Sequence, residues 1–170
     1  MSALETSQNA SAELRVRAAT PADRAFVMHA AAHLVDFAVP TGLDVALIRT
    51  VDARELSAVF ALSKPGEAIF IAEQSDGQPI GFLHVGERED FYRGPCAHVG
   101  DVVVLPEARG QGAGRALLEA ARRWAVEHGY SCMTLSVFAE NLAARHLYET
   151  LGFVAETVRM VMPACSSDDR

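Results

Sequence analysis

The stretch from Val102 to Leu118 constrains this chain more than any other. Val102-Val103-Val104 places three β-branched residues in a row, which favours an extended strand buried on both faces. Pro106 has no N–H to give to a sheet, so pairing should stop there. Arg109-Gly110-Gln111-Gly112-Ala113-Gly114 then supplies a turn whose glycines can bend sharply and lie close to a ligand. From Arg115 the pattern turns helical, so unpaired N–H groups and the positive end of the helix dipole face that turn. A strand, a glycine turn and a helix start in this order suit phosphate.

The spacing excludes two common phosphate binders. A P-loop requires G-x-x-x-x-G-K-[ST], and no Lys-Ser or Lys-Thr pair occurs in the chain. A dinucleotide fingerprint requires G-x-G-x-x-G, whereas here Gly114 follows Gly112 after one residue. What stands in register after the valine strand is Arg109-x-x-Gly112-x-Gly114.

The remainder of the 170 residues reads as a single domain over 13–163, between a polar N-terminal tail (1–12) and a polar C-terminal tail (164–170). Leu14 to Arg17 alternates like a short strand. Thr20-Pro21-Ala22-Asp23 is a helix start, and the helix should continue until Pro40. A second helix is expected over 52–62, with Leu56, Val59 and Phe60 inward. Residues 68–72 and 80–85 read as a hairpin about the turn 75–79. The polar stretch 86–97 reads as a loop, and 98–105 as the strand that enters the glycine turn. The following helix should run to His128-Gly129, burying Ala113, Leu117, Leu118, Ala121, Trp124 and Ala125. A strand over 132–137, a short helix capped by Asn141 and a last strand near 157–162 complete the order. The fold class is α/β (α+β), a mixed central sheet flanked by helices on both faces.

Other features narrow the function. The Met1-to-Asn9 start lacks a basic segment and an apolar core, so no secretory signal is expected. No run approaches the ~20 apolar residues of a membrane span. The three cysteines (Cys96, Cys132, Cys165) have no metal-ligand or paired spacing. They favour a cytoplasmic location, with no metal. A net charge of −7 weighs against a nucleic-acid partner and leaves room for a cationic amine or basic peptide.

A second motif lies about thirty residues beyond the glycine turn: Asn141-x-x-Ala144-x-x-Leu147-Tyr148-Glu149-x-Leu151-Gly152-Phe153. Together with Arg109-x-x-Gly112-x-Gly114 after its valine strand, it resembles the GNAT (N-acetyltransferase) superfamily over roughly residues 14–162. The resemblance implies that acetyl-CoA is the co-substrate and that an acetyl group passes directly to a primary amine in a ternary complex. It implies CoA pyrophosphate on the turn formed by Arg109, Gly110, Gln111, Gly112, Ala113, Gly114 and Arg115. It also implies a bulge that frees the backbone of Val102, Val103 and Val104 for the thioester, and contact of Asn141 with the CoA arm. Self-association as a homodimer follows from the same resemblance, with the last strand as an available edge.

The chemistry makes three demands. A lysine-like ammonium of pKa ~10.4 is neutral about once in 10³ at neutral pH, so a base or an electronegative pocket assists. The oxyanion needs aimed N–H donors. The leaving thiolate needs a proton donor, which suits Tyr148. The family's glutamate base has no counterpart at Ser136. The other strand position for it holds His98, with Asp101 as a second candidate, and Glu73, Glu87 and Glu89 flank the hairpin as further carboxylates. Two rivals to an enzyme remain: a catalytically silent CoA-binding sensor or scaffold, and a nucleotide-phosphate binder.

Overall fold

The structure, a computed structural model, describes residues 14–37, 39–62 and 66–162. The expected tails, 1–12 and 164–170, and Cys165 lie outside the described residues. Five strands form one sheet in the order β1 (Arg15–Ala18), β2 (Glu67–Glu73), β3 (Pro79–Asp90), β4 (Gly94–Val104) and β5 (Met133–Leu135). The first three pairings are antiparallel and β4–β5 is parallel. Helices α1 (Arg24–Ala30) and α2 (Val45–Leu62) precede the hairpin, and α3 (Ala113–Glu127) and α4 (Leu142–Thr150) follow the glycine turn.

Two apolar clusters hold the layers together, one on each sheet face. Val27, Ala30 and Leu56 from α1 and α2 pack with Ile69, Ile71, Phe82 and Val103. Leu117, Leu118, Ala121 and Trp124 from α3 pack on the opposite face with Leu83, Val85 and Val99, and Val102 and Val104 join that side. The triple-valine strand is thus covered on both faces, which is why β-branched residues follow one another without a polar break. Every residue of the expected α3 stripe is buried.

The N-terminal corner is tied by charge. Arg17 donates from Nε to Glu73 (2.8 Å) and from both terminal nitrogens to Asp23 (2.8 Å each), while the Thr20 amide donates to Asp23 (2.7 Å). The Arg17 hydrogen bonds hold the Asp23 carboxyl well below the usual carboxylate range, and burial opposes them. A depressed carboxylate stabilises the fold above its unfolded pKa of about 3.9 and loses that contribution as pH falls. Asp23→Asn should therefore cost about 2 kcal/mol at pH 7, and the deficit should shrink below about pH 4. Urea titrations of both proteins at neutral and acidic pH check this.

Several expected boundaries are corrected. The first helix is one regular segment bracketed by 3₁₀ turns at Pro21–Asp23 and Ala31–Val35, and ends at Val35, before Pro40. The second begins at Val45, seven residues earlier than residue 52, because Asp44 caps it: its carboxylate accepts from the amides of Ala46 (2.8 Å) and Leu47 (3.4 Å). Residues 86–97 are not one loop. Residues 86–90 and 94–97 are the outer halves of β3 and β4, paired from Gly86↔His98 to Asp90↔Gly94, and only 91–93 form the turn between them. Polar residues suit this ribbon because its tip projects past the core, with Phe91 and Tyr92 exposed. The strand expected over 132–137 is shorter, at Met133–Leu135.

The strand expected over 157–162 does not form. Residues 153–162 carry no regular structure, and Val158, Met160, Val161 and Met162 are exposed. An apolar alternating run becomes a strand only where an edge accepts its hydrogen bonds, and among the described residues the segment pairs with none.

The cysteine expectation also changes. Cys96 of β4 and Cys132, just before β5, form a disulfide with Cα atoms 5.5 Å apart. The parallel β4–β5 pairing brings them together, with the Ala97 amide on the Cys132 carbonyl (3.2 Å). A separation of 36 residues carries no pairing signal in sequence.

Candidate active site

The sheet splits where β4 and β5 part. Their pairing covers only Ala97↔Met133, His98↔Thr134 and Val99↔Leu135, whereas β4 continues to Val104 and stays paired to β3 on its other side. Directly beyond the last β5 pair the β3–β4 register shifts, between His84/Val85 on one strand and Asp101/Val99 on the other. Gly100 is the extra residue. This bulge re-aims the strand, so that Asp101 and Val103 fall on the α1–α2 side and Val102 and Val104 on the α3 side.

The glycine turn sits at the end of the same strand. Leu105 leads through a 3₁₀ turn at Pro106–Ala108 into Gly110 (φ 77°) and Gly112 (φ 90°), both in the left-handed region that favours glycine. Gly110, Gln111 and Gly112 are exposed and Ala113 is buried. The first backbone bond of α3 runs from the Ala116 amide to the Gly112 carbonyl (3.0 Å), leaving the amides ahead of it for an outside acceptor. Gly114 has a different reason: a Cβ there would lie 3.0 Å from Leu147 Cδ2. The missing side chain lets α4 approach the first turn of α3.

Charged groups border the turn. Arg109 donates from Nε to the Val104 carbonyl (3.1 Å) and from its guanidinium to Asp36 (2.9 Å), which His33 also contacts (2.7 Å). Arg115 reaches Thr150 at the end of α4 (3.1 Å), and Gln111 donates to the Glu107 carbonyl (3.2 Å). Asn141 caps α4, its side-chain oxygen accepting from the Ala144 amide (3.2 Å). Two residues before the α4 terminus, Tyr148 is half-buried and its ring meets Phe153 edge-on.

The electrostatics link Tyr148 to the bulge. Burial pushes the Tyr148 phenol above its ordinary value of 10, and the Asp101 charge adds to the shift. Burial likewise raises the Asp52 carboxyl of α2, with Asp101 and Glu55 as lesser causes. His98 differs. Its Nδ1 lies 2.9 Å from the Thr134 hydroxyl across the β4–β5 pairing, and burial, then Arg88 and His84, lower its pKa against the pull of Asp101. Asp101 thus lies within electrostatic reach of both Asp52 and Tyr148, while His98 is engaged by its neighbouring strand.

The hairpin carboxylates separate. Glu73 belongs to the Arg17 network, Glu87 accepts from the Tyr130 hydroxyl (2.7 Å), and Glu89 lies far out on the β3–β4 ribbon. Sequence spacing missed three groups around Asp101: His84, which contacts it across the sheet register, Glu67, which lies beyond His84, and Asp52 of α2, within its electrostatic reach. No group of three or more metal-ligating side chains comes together among the described residues, and none of their helices is long and apolar enough to cross a membrane.

The mixed sheet, its split beside a bulge and the glycine turn opening α3 define the GNAT fold. Among solved structures, aminoglycoside N-acetyltransferase AAC(6')-Iy in complex with CoA superposes with a TM-score of 0.69 at 23% identity, covering 91% of this chain and 97% of that one. The same enzyme with the bisubstrate analogue CoA-S-monomethyl-acetylneamine gives 0.67 at 25% identity, covering 90% and 99%. Residues 31–153 match the acetyltransferase (GNAT) family model, and the chain belongs to that family. An uncharacterized N-acetyltransferase of Bacillus subtilis is 33% identical over 92 residues, 54% of this chain and 62% of that one. An aminoglycoside N(6')-acetyltransferase type 1 of Stenotrophomonas maltophilia is 33% identical over 98 residues, 55% and 63% of the two. The alignments span less than two thirds of these relatives' lengths.

Proposed function

We propose that the chain transfers an acetyl group from acetyl-CoA directly to a primary amine, and that the amine belongs to a polycationic small molecule. One observation carries the reading: the β4–β5 split, Asp101 and the exposed glycine turn follow one another along β4 and its end, with Tyr148 of α4 within electrostatic reach of Asp101. The turn amides and the α3 terminus receive the pyrophosphate, with Arg109 and Arg115 at its borders. The backbone of Val102 to Val104 lies along the split, where the acetyl thioester is held. Asn141 borders the pantetheine arm.

The two protons the amine nitrogen loses have different fates. Asp101 faces the ammonium and accepts the first as the nitrogen attacks the thioester carbonyl, so that formation of the new bond offsets the uphill transfer to a carboxylate. The second ends on the thiol as the tetrahedral intermediate collapses. Tyr148 donates a hydrogen bond to the leaving sulfur. Full transfer from a phenol of pKa ~10 to a thiolate of pKa ~8.5 runs uphill by about 2 kcal/mol, and burial steepens it. Tyr148 therefore eases departure through the hydrogen bond and keeps its own proton, and the proton that reaches the sulfur is the second one from the nitrogen.

Carboxylates of Asp101, Asp52 and Glu55 face one region, which favours an acceptor with several positive charges. The aminoglycoside acetyltransferases among the relatives support that class. Acetyl-CoA binding by calorimetry, with thiol release across spermidine, aminoglycosides, amino acids and peptides, tests the reading. CoA binding without turnover on any amine would leave a silent CoA-binding module, and protection by ATP or NAD alone would indicate a nucleotide binder.

Tyr148→Phe should lower kcat by about 10- to 100-fold with little change in acetyl-CoA affinity. Because its pKa lies above the ordinary 10, the phenol stays mostly protonated up to pH 9. The wild-type rate should accordingly rise from pH 7 to 9, as the amine deprotonates, without an alkaline fall in that range. Steady-state rates across that range check both.

A further inference from the structure

His84 lies at the centre of β3, between two carboxylates on the α1–α2 face of the sheet. Its Nδ1 is 3.4 Å from Asp101 Oδ2 on β4, and its Nε2 is 3.5 Å from Glu67 Oε2 on β2. The ring is mostly buried, 17% exposed, as is the Asp101 side chain at 17%. Backbone register puts His84 opposite Asp101 and Ile69, one diagonal step from Glu67. The two ring nitrogens therefore address different strands.

The bulge is built around this ring. A Cβ on Gly100 would stand 2.8 Å from His84 Nδ1 and 3.4 Å from Cε1, so any larger residue there would displace the imidazole. Position 100 has no positive φ to explain its glycine. The close approach of the ring explains it.

We infer that His84 is a positioning residue for the acetyl transfer: set between Glu67 and Asp101 and seated against Gly100, it orients the Asp101 carboxylate so that its free oxygen faces the incoming amine. The inference rests on the reading of Asp101 as the proton acceptor. His84 touches neither acetyl-CoA nor the amine and acts through Asp101 alone. The contacts are a few tenths of an ångström longer than good hydrogen bonds, and such contacts tighten when substrate binds. Misplacing a reacting group by about 1 Å can cost 10²-fold in rate. The other charged groups facing this set are His98 and Arg88 on the same sheet and Asp52 on α2.

A double-mutant cycle tests it. His84→Ala should lower kcat by about 10- to 100-fold, leave acetyl-CoA affinity within about 2-fold, and keep the melting temperature near that of the parent. His84→Gln, which retains an N–H, should recover part of the loss and stands in if the alanine variant folds poorly. In an Asp101→Asn background, His84→Ala should change kcat less than about 2-fold, because the group it positions is already disabled. Additive losses in the double mutant, or full activity of both His84 variants, would overturn the inference. Full activity of Asp101→Asn alone would instead overturn the proton-acceptor reading on which it rests, so the two failures are distinct.

Discussion

Asp101→Asn is expected to lower kcat by about 10² to 10⁴-fold while leaving acetyl-CoA affinity within about 2-fold. The substitution keeps the shape and removes the charge and the proton-accepting capacity. Its neighbours say why the effect should fall on chemistry. Asp101 contributes to the raised pKa of Tyr148 and of Asp52, so it stands within electrostatic reach of both sides of the split. Removing that charge should also relax the Tyr148 phenol downward, because the Asp101 charge is one of the two causes of its shift. The Asp101→Asn rate should respond more steeply to pH than the parent's between pH 7 and 9, since deprotonation of the amine then falls to water. His98→Asn separates the two base candidates. With its Nδ1 on Thr134, His98 should cost far less than Asp101 when replaced.

Gly112→Val should weaken acetyl-CoA binding by about 100-fold, measured by calorimetry. Gly112 has φ of 90°, where a β-branched residue is a strong outlier. On the protein side there is room, with Leu14 Cδ1 at 3.8 Å as the only neighbour within 4 Å among the described residues. The penalty therefore lies in the backbone. A valine forces the turn out of the left-handed region and re-aims the amides that precede Ala116. Losing two hydrogen bonds to a charged phosphate costs about 3 kcal/mol, which is about 10²-fold in affinity. Gly112→Ala should fall between, and the melting temperature of the unliganded variants should move little because the turn is exposed. Gly114→Ala offers a contrast. Its Cβ would press on Leu147, so that variant should loosen α4 and lower kcat more than CoA affinity.

The layout of the catalytic half was legible in the sequence because its signals are local. The α3 stripe is set by apolar spacing, and its start by Gly112. The Asn141 cap and the positive φ of Gly152 bound α4 for similarly local reasons. The missed features depend on distant partners. Residues 86–97 are polar enough for a loop, yet pairing across the ribbon makes all but 91–93 strands. The start of α2 is carried by one Asp44 cap on a helix whose Leu47 is exposed, so no apolar stripe announced it. The run 157–162 has strand composition without an edge to join. Glu67 and His84 become part of the site through the sheet register and a bulge at Gly100. Nothing in the spacing of residues 67, 84 and 101 signals that meeting.

The central claim is acetyl transfer to a polycationic amine at this split. Incubating the chain with carbon-13-labelled acetyl-CoA and either spermidine or an aminoglycoside, then weighing the amine by mass spectrometry, tests it most directly. The account predicts one labelled acetyl group on the amine, matched by one free CoA thiol and suppressed in Asp101→Asn. Release of CoA thiol with the amine unlabelled, or equal labelling by the Asp101→Asn chain, would contradict it.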